Sequence, residues 1–156
     1  MRYAYLIVFT ASMLLVFSAP AASAAEKKLN KSDLPPAVQK TADQQSQGAT
    51  VKGYASEVEH GQLQYEVELI ANGHSKDVTI SKDGSVLEVE EETALDALPA
   101  AVREALQKKA GSGKITKVES ITKHDVLVAY EAQVLKGKKR SEIQIGPDGK
   151  PLAQPE

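Results

Sequence analysis

The chain predicts an α+β fold: two tandem repeats, each a helix packed on a four-stranded antiparallel sheet. Three observations carry that prediction. First, residues Leu63 to Glu90 alternate apolar and polar positions over short runs broken by Asn72-Gly73 and Asp83-Gly84, the pattern of hairpins with one buried and one wet face. Second, the fully polar outward positions exclude a parallel sheet covered by helices on both faces. Third, landmarks recur in one order. Leu34-Pro35-Pro36-Ala37-Val38 returns as Leu98-Pro99-Ala100-Ala101-Val102, an offset of 98 − 34 = 64. Tyr65-Glu66 returns as Tyr130-Glu131, and Ile80 to Leu87 as Ile145 to Leu152, each at an offset of 65.

In chain order, residues 1–24 read as a secretory signal: Arg2, an apolar run from Ala4 to Phe17, and the small residues Ala22-Ser23-Ala24 before the cut. The run is shorter than the roughly 20 residues a membrane-spanning helix needs. No Cys follows it, so no lipid is attached there. Export to the periplasm or the medium is expected, with no membrane span after signal removal. Residues 25–31 form a polar spacer, residues 32–92 the first repeat and residues 93–156 the second.

The first repeat opens with a helix started by Asp33 and Pro35-Pro36 and ended by Gly48. Val38, Thr41 and Ala42 give it a thin apolar face. Strands follow over Val51 to Glu59, from Leu63, over Lys76 to Ile80 and over Val86 to Glu90. Leu63, Tyr65, Val67 and Leu69 point inward from the second of these. The second repeat begins with Asp96 as N-cap and a helix whose Leu98, Val102, Ala105 and Leu106 share one face, with Gly111 or Gly113 at its exit. Strands over Ile115 to Thr122, Val126 to Leu135 and Ser141 to Ile145 follow. Val126, Val128, Tyr130, Ala132 and Val134 are expected inward, and Pro151 keeps a fourth strand short.

Composition removes several function classes. The chain has no Cys, hence no disulfide and no thiol nucleophile. Without Arg2, 19 − 1 = 18 basic residues face 21 acidic ones, a formal charge of −3 that leaves no electrostatic footprint for nucleic acid. His60, His74 and His124 show no metal-ligand spacing and read as exposed turn residues. Asp83-Gly84 and Asp148-Gly149 lack the acidic run of a calcium loop and read as hairpin turns. Gly111-Ser112-Gly113-Lys114 lacks Walker spacing and precedes a strand. Glu88, Glu90, Glu91 and Glu92 form an acidic cluster at the joint, and Lys136 to Arg140 a basic one. Both read as solvated surface with some capacity for docking. Tyr65 and Tyr130 read as core. No catalytic, cofactor-binding or metal-ligating residue is assigned, no cofactor is expected, and the partner-contact residues are unknown at this level.

The landmarks Leu34, Pro35, Val38, Tyr65, Glu66, Leu69, Ile80, Asp83, Gly84 and Leu87 have counterparts in Leu98, Pro99, Val102, Tyr130, Glu131, Val134, Ile145, Asp148, Gly149 and Leu152. Together they resemble the PepSY-like family, also described as β-lactamase-inhibitor-like. That resemblance implies an exported, non-enzymatic module that binds other proteins, acting as an inhibitor or modulator of an exported hydrolase or peptidase. The alternative is a small-ligand or metal-ion sensor of the cell envelope. An enzyme is the least supported class.

Overall fold

The computed structural model describes residues 26–154 and 156, and the signal-peptide reading of residues 1–24 lies outside them. In chain order the elements are β1 (Lys27–Leu29), α1 (Pro36–Gln45), β2 (Thr50–Glu59), β3 (Gln62–Ala71), β4 (His74–Ser81), β5 (Val86–Glu92), α2 (Ala100–Ala110), β6 (Lys114–Lys123), β7 (Val126–Lys136) and β8 (Lys139–Ile145).

All eight strands form one antiparallel sheet in sequence order, β1 through β8. This corrects the expected α+β architecture of two repeats, each a helix on its own four-stranded sheet. The physical reason lies at the joint. β5 does not stop at Glu90 but runs to Glu92, and Glu88 to Glu92 pair with Lys123 to Glu119 of β6. Pairing there satisfies backbone groups that two separate sheets would each leave exposed at an edge. At the far side, the described residues form no strand after β8, because Pro151 cannot donate to a ladder. At the near side, Lys27–Leu29, within the segment read as a polar spacer, pairs with Ser56 to Tyr54 as the first strand.

Three hairpins turn on two residues that both take positive φ: His60-Gly61, Asn72-Gly73 and His124-Asp125. That geometry matches the right-handed twist of the flanking strands. Asp33 and Asp96 do not cap the α-helices as expected. Each lies in a one-turn 3₁₀ segment, and the Asp33 carboxylate accepts from the Asn30 backbone N–H at 2.8 Å. Pro35 and Pro99 occupy the N-cap positions, which need no donor from that residue.

Both helices lie on one face of the sheet. Cross-strand neighbours Tyr54, Val67, Val78, Val89 and Thr122 form one row of that face. Val38 and Ala42 of α1 pack with Tyr65, Val67, Leu69, Val78 and Ile80. Val102 and Leu106 of α2 pack with Leu98, Val118, Ala132 and Ile145, and Tyr130 packs against that cluster. The expected inward Val126 is instead 61% exposed. Ile121 pairs with Ala129 and Thr122 with Leu127, so Val128 is an extra residue in β7 and the alternation reverses beyond it.

Candidate functional site: the uncovered acidic face

The opposite face of the sheet carries no helix among the described residues. On it the register aligns Glu68, Asp77 and Glu90 directly across three adjacent strands, continuing into Ile121 and Ala129. A neighbouring row aligns Glu92, Glu119 and Glu131, ending at Gln144. Like charges placed directly opposite one another weaken a sheet. Two such triplets side by side are a local conflict of the kind that folded proteins keep for function.

These carboxylates are not solvated in the ordinary way. Glu119 is only 3% exposed, and Glu66, Asp77, Glu90 and Glu131 are half-buried. Among the described residues the C-terminal Glu156 reaches onto this face, its N–H donating to Gln144 Oε1 at 2.8 Å and its carboxylate 3.6 Å from Lys123 Nζ. Irregular pairing bends strands locally. Register shifts between Val51 and Gly53, Thr79 and Ile80, Ile115 and Lys117, and Ile121 and Thr122 supply the bend. Gly53 contributes as well: a Cβ there would meet the Glu68 carboxyl at 3.4 Å.

The electrostatic consequence is retained protons. Burial, then a hydrogen bond with Glu88 and the charges of Glu88, Glu119 and Glu131, push Glu90 up to about 8. Burial, with Asp77, Glu26 and Glu68 nearby, pushes Glu66 up to about 7. Asp77 and Glu131 are raised by the same desolvation. Glu92 goes the other way, because the Ser75 backbone N–H donates to it at 3.1 Å. Few cations answer this charge. Lys117 Nζ lies 2.6 Å from Glu119, and Lys123 Nζ lies 3.5 Å from Glu88. Burial alone would lower Lys117, but Glu119, Asp77 and Glu92 outweigh it and hold the ammonium above its usual value.

Carboxylate oxygens of Asp77, Glu90 and Glu119 all lie within 4.8 Å of one another, close enough to share one cation. Lys117 already leans on this trio. Of the residues singled out by sequence, Glu88, Glu90 and Glu92 therefore belong to a site, whereas Glu91 faces the helix side opposite Lys76. The basic residues of Lys136 to Arg140 sit apart, on the β7–β8 hairpin. His60 and His124 occupy tips of separate hairpins and His74 the other end of the sheet, so no shared site joins them. Glu68, Asp77, Glu119 and Glu131 escaped sequence reading because each looks like an ordinary outward residue of its own strand. Only the register stacks them.

No protein-family model and no curated protein matches the chain. Solved structures do share its fold. A protein of Bacteroides eggerthii, provisionally assigned to the periplasm, is 22% identical with a TM-score of 0.64, covering 78% of this chain and 88% of its own. A BLIP-like protein of Bacteroides fragilis is 20% identical with a TM-score of 0.58, covering 76% of this chain and 83% of its own. A DUF2874 family protein of Bacteroides ovatus is 20% identical with a TM-score of 0.60, covering 76% and 84%. At these identities the likeness is one of fold, and the fold this chain shares is that of the BLIP-like and DUF2874 proteins.

Proposed function

We propose that the chain is an exported, non-enzymatic protein-binding module that docks a partner on its uncovered acidic face. The observation that carries this reading is the pair of like-charged triplets, Glu68–Asp77–Glu90 and Glu92–Glu119–Glu131, six carboxylates withdrawn from solvent to different extents with Lys117 as the one lysine bridged to them among the described residues. A partner presenting Lys or Arg side chains would relieve that repulsion, and steering by opposite charge would speed the encounter. Action outside the cytoplasm fits the signal-like segment and the periplasmic assignment of the B. eggerthii neighbour. An exported hydrolase or peptidase as partner fits the PepSY-like landmarks and the BLIP-like neighbour.

The test is capture of envelope and secreted proteins on immobilised residues 26–156, beside the triple variant Glu68→Gln, Asp77→Asn, Glu90→Gln. A protein retained by the wild type and lost from the variant, and lost again on raising salt, is the expected result. Equal retention by both, or an empty column, sinks the reading. The second reading, a metal-ion sensor, is favoured by the Asp77–Glu90–Glu119 trio alone. It calls for a divalent cation that raises the melting temperature of the wild type and leaves the triple variant unchanged.

A further inference from the structure

The free edge of β8 carries an inference independent of the acidic face. Ser81 to Ser85 and Gly146 to Lys150 are the same turn. Ser81 N–H donates to the Ser85 carbonyl at 2.9 Å and Gly84 N–H to Ser81 at 2.9 Å, while Gly146 N–H donates to Lys150 at 2.8 Å and Gly149 N–H to Gly146 at 2.9 Å. After the first turn the chain continues as β5 and covers the edge of β4. After the second, Pro151 stands where β5 has Val86, and no strand forms among the described residues. Beyond the turn, no backbone–backbone hydrogen bond joins the described tail residues to β8; the tail meets the strand only near its C-terminal end, where the Glu156 N–H donates to Gln144 Oε1 at 2.8 Å. The backbone edge that β4 has filled is therefore unpaired in β8, and from Arg140 to Glu142 no hydrogen bond from the described tail residues reaches it.

Its pairing groups can be identified. The β7–β8 hairpin turns on Gly137-Lys138, with φ +64° at Gly137, and closes on the pair Lys136 and Lys139. A two-residue turn closes on a doubly hydrogen-bonded pair, and such pairs alternate along the ladder. Lys139, Ser141, Ile143 and Ile145 thus bond inward to β7. Arg140, Glu142 and Gln144 direct their N–H and C=O groups to the open edge. A hollow of about 540 Å³ crosses β6, β7 and β8 at Arg140 and Glu142, and one of about 600 Å³ is lined by Ile143 and Gln144 together with the tail residues Leu152, Ala153 and Gln154.

We propose that this edge pairs with β8 of a second copy, antiparallel and centred on Ser141, joining two sheets through a two-fold axis. The charges select that register. Centring on Ser141 sets Arg140 opposite Glu142 of the other copy, twice, whereas centring on Glu142 would oppose two carboxylates. Both Arg140 and Glu142 are exposed and have no ion-pair partner among the described residues. The opposite edge cannot compete, since β1 has only three residues. The interface is one strand wide, so the dimer is weak and concentration-dependent.

Sedimentation of residues 26–156 over a wide concentration range tests this, together with Ser141→Cys under mild oxidation. The chain has no other Cys, and residues facing across a non-hydrogen-bonded antiparallel pair stand about 4.5 Å apart, within disulfide reach. The expected results are a reversible dimer and cross-linking of Ser141→Cys much faster than of Lys138→Cys. Arg140→Glu should abolish the dimer and Arg140→Glu with Glu142→Arg should restore it, a rescue that a folding defect would not give. A monomer at every concentration, equal cross-linking at both positions, or an edge filled by an unrelated strand would each overturn the proposal.

Discussion

Glycine 84 shows what a single residue is asked to do in this chain. Its φ is +91°, and a Cβ there would sit 2.9 Å from the Ala37 carbonyl oxygen of α1. Its own carbonyl accepts from Thr41 Oγ1 at 2.6 Å, so the turn is clamped to the helix. Gly84→Ala should therefore cost about 2 kcal/mol or more, by adding a steric clash to the left-handed backbone penalty. Gly73→Ala, at φ +87° with nothing within 4 Å, should cost only about 1 kcal/mol. Chemical denaturation of both variants reads the difference, and equal costs would mean that the turn does not touch α1.

Glu90 belongs to the same scale. It and Glu66 hold protons in the folded state to about 8 and about 7, against an ordinary 4.5. Between those values the folded protein binds more protons than the unfolded chain. The stability these groups confer is complete at acid pH and falls as pH rises through that window. Glu90→Gln should flatten this decline and raise alkaline stability by about 1 kcal/mol, the solvent-screened remnant of the shift. Melting temperature measured from about pH 5 to about pH 9 checks the slope; an unchanged profile would place the strain elsewhere. The turn glycine was legible in sequence as Asp83-Gly84, but Ala37 was not, since it is close only in space.

At the scale of the element, the hairpins were read well because their cues are local. Asn72-Gly73 and the two His-led turns specify positive φ within two residues, and each turns where expected. The helices were placed to within a few residues, but their Asp starts were not, because a 3₁₀ turn and an α-helix offer an Asp the same kind of donor. The inward set of β7 failed at Val126 for a reason no periodicity reveals: one unpaired residue, Val128, shifts the phase. The two sites give opposite expectations. Leu106, fully buried in the α2 core, should cost about 3 kcal/mol as Leu106→Ala. Val126→Ala should stay within about 0.5 kcal/mol. Urea midpoints decide both, and a large loss at Val126 would contradict its exposure.

At the scale of the whole molecule, two apolar clusters share one sheet. The β5–β6 ladder ties them through five residue pairs, so the clusters should unfold together in one transition. Hydrogen exchange of Leu106→Ala tests this directly: protection in β3 and β7 should fall by the same factor. Loss confined to β6, β7 and β8 would show two independent units.

The sequence alone determined both helix segments, seven of the eight strands and their antiparallel sense, because alternation, turn residues and helical spacing act over a few residues; it missed β1 and expected one strand after β8 that does not form among the described residues. It also determined that a landmark set recurs. Tertiary structure decided that the sheet is one rather than two, and that scattered outward carboxylates stand in opposed rows. Both depend on which strand lies beside which, and in which register, a choice made by backbone pairing between segments far apart in the chain.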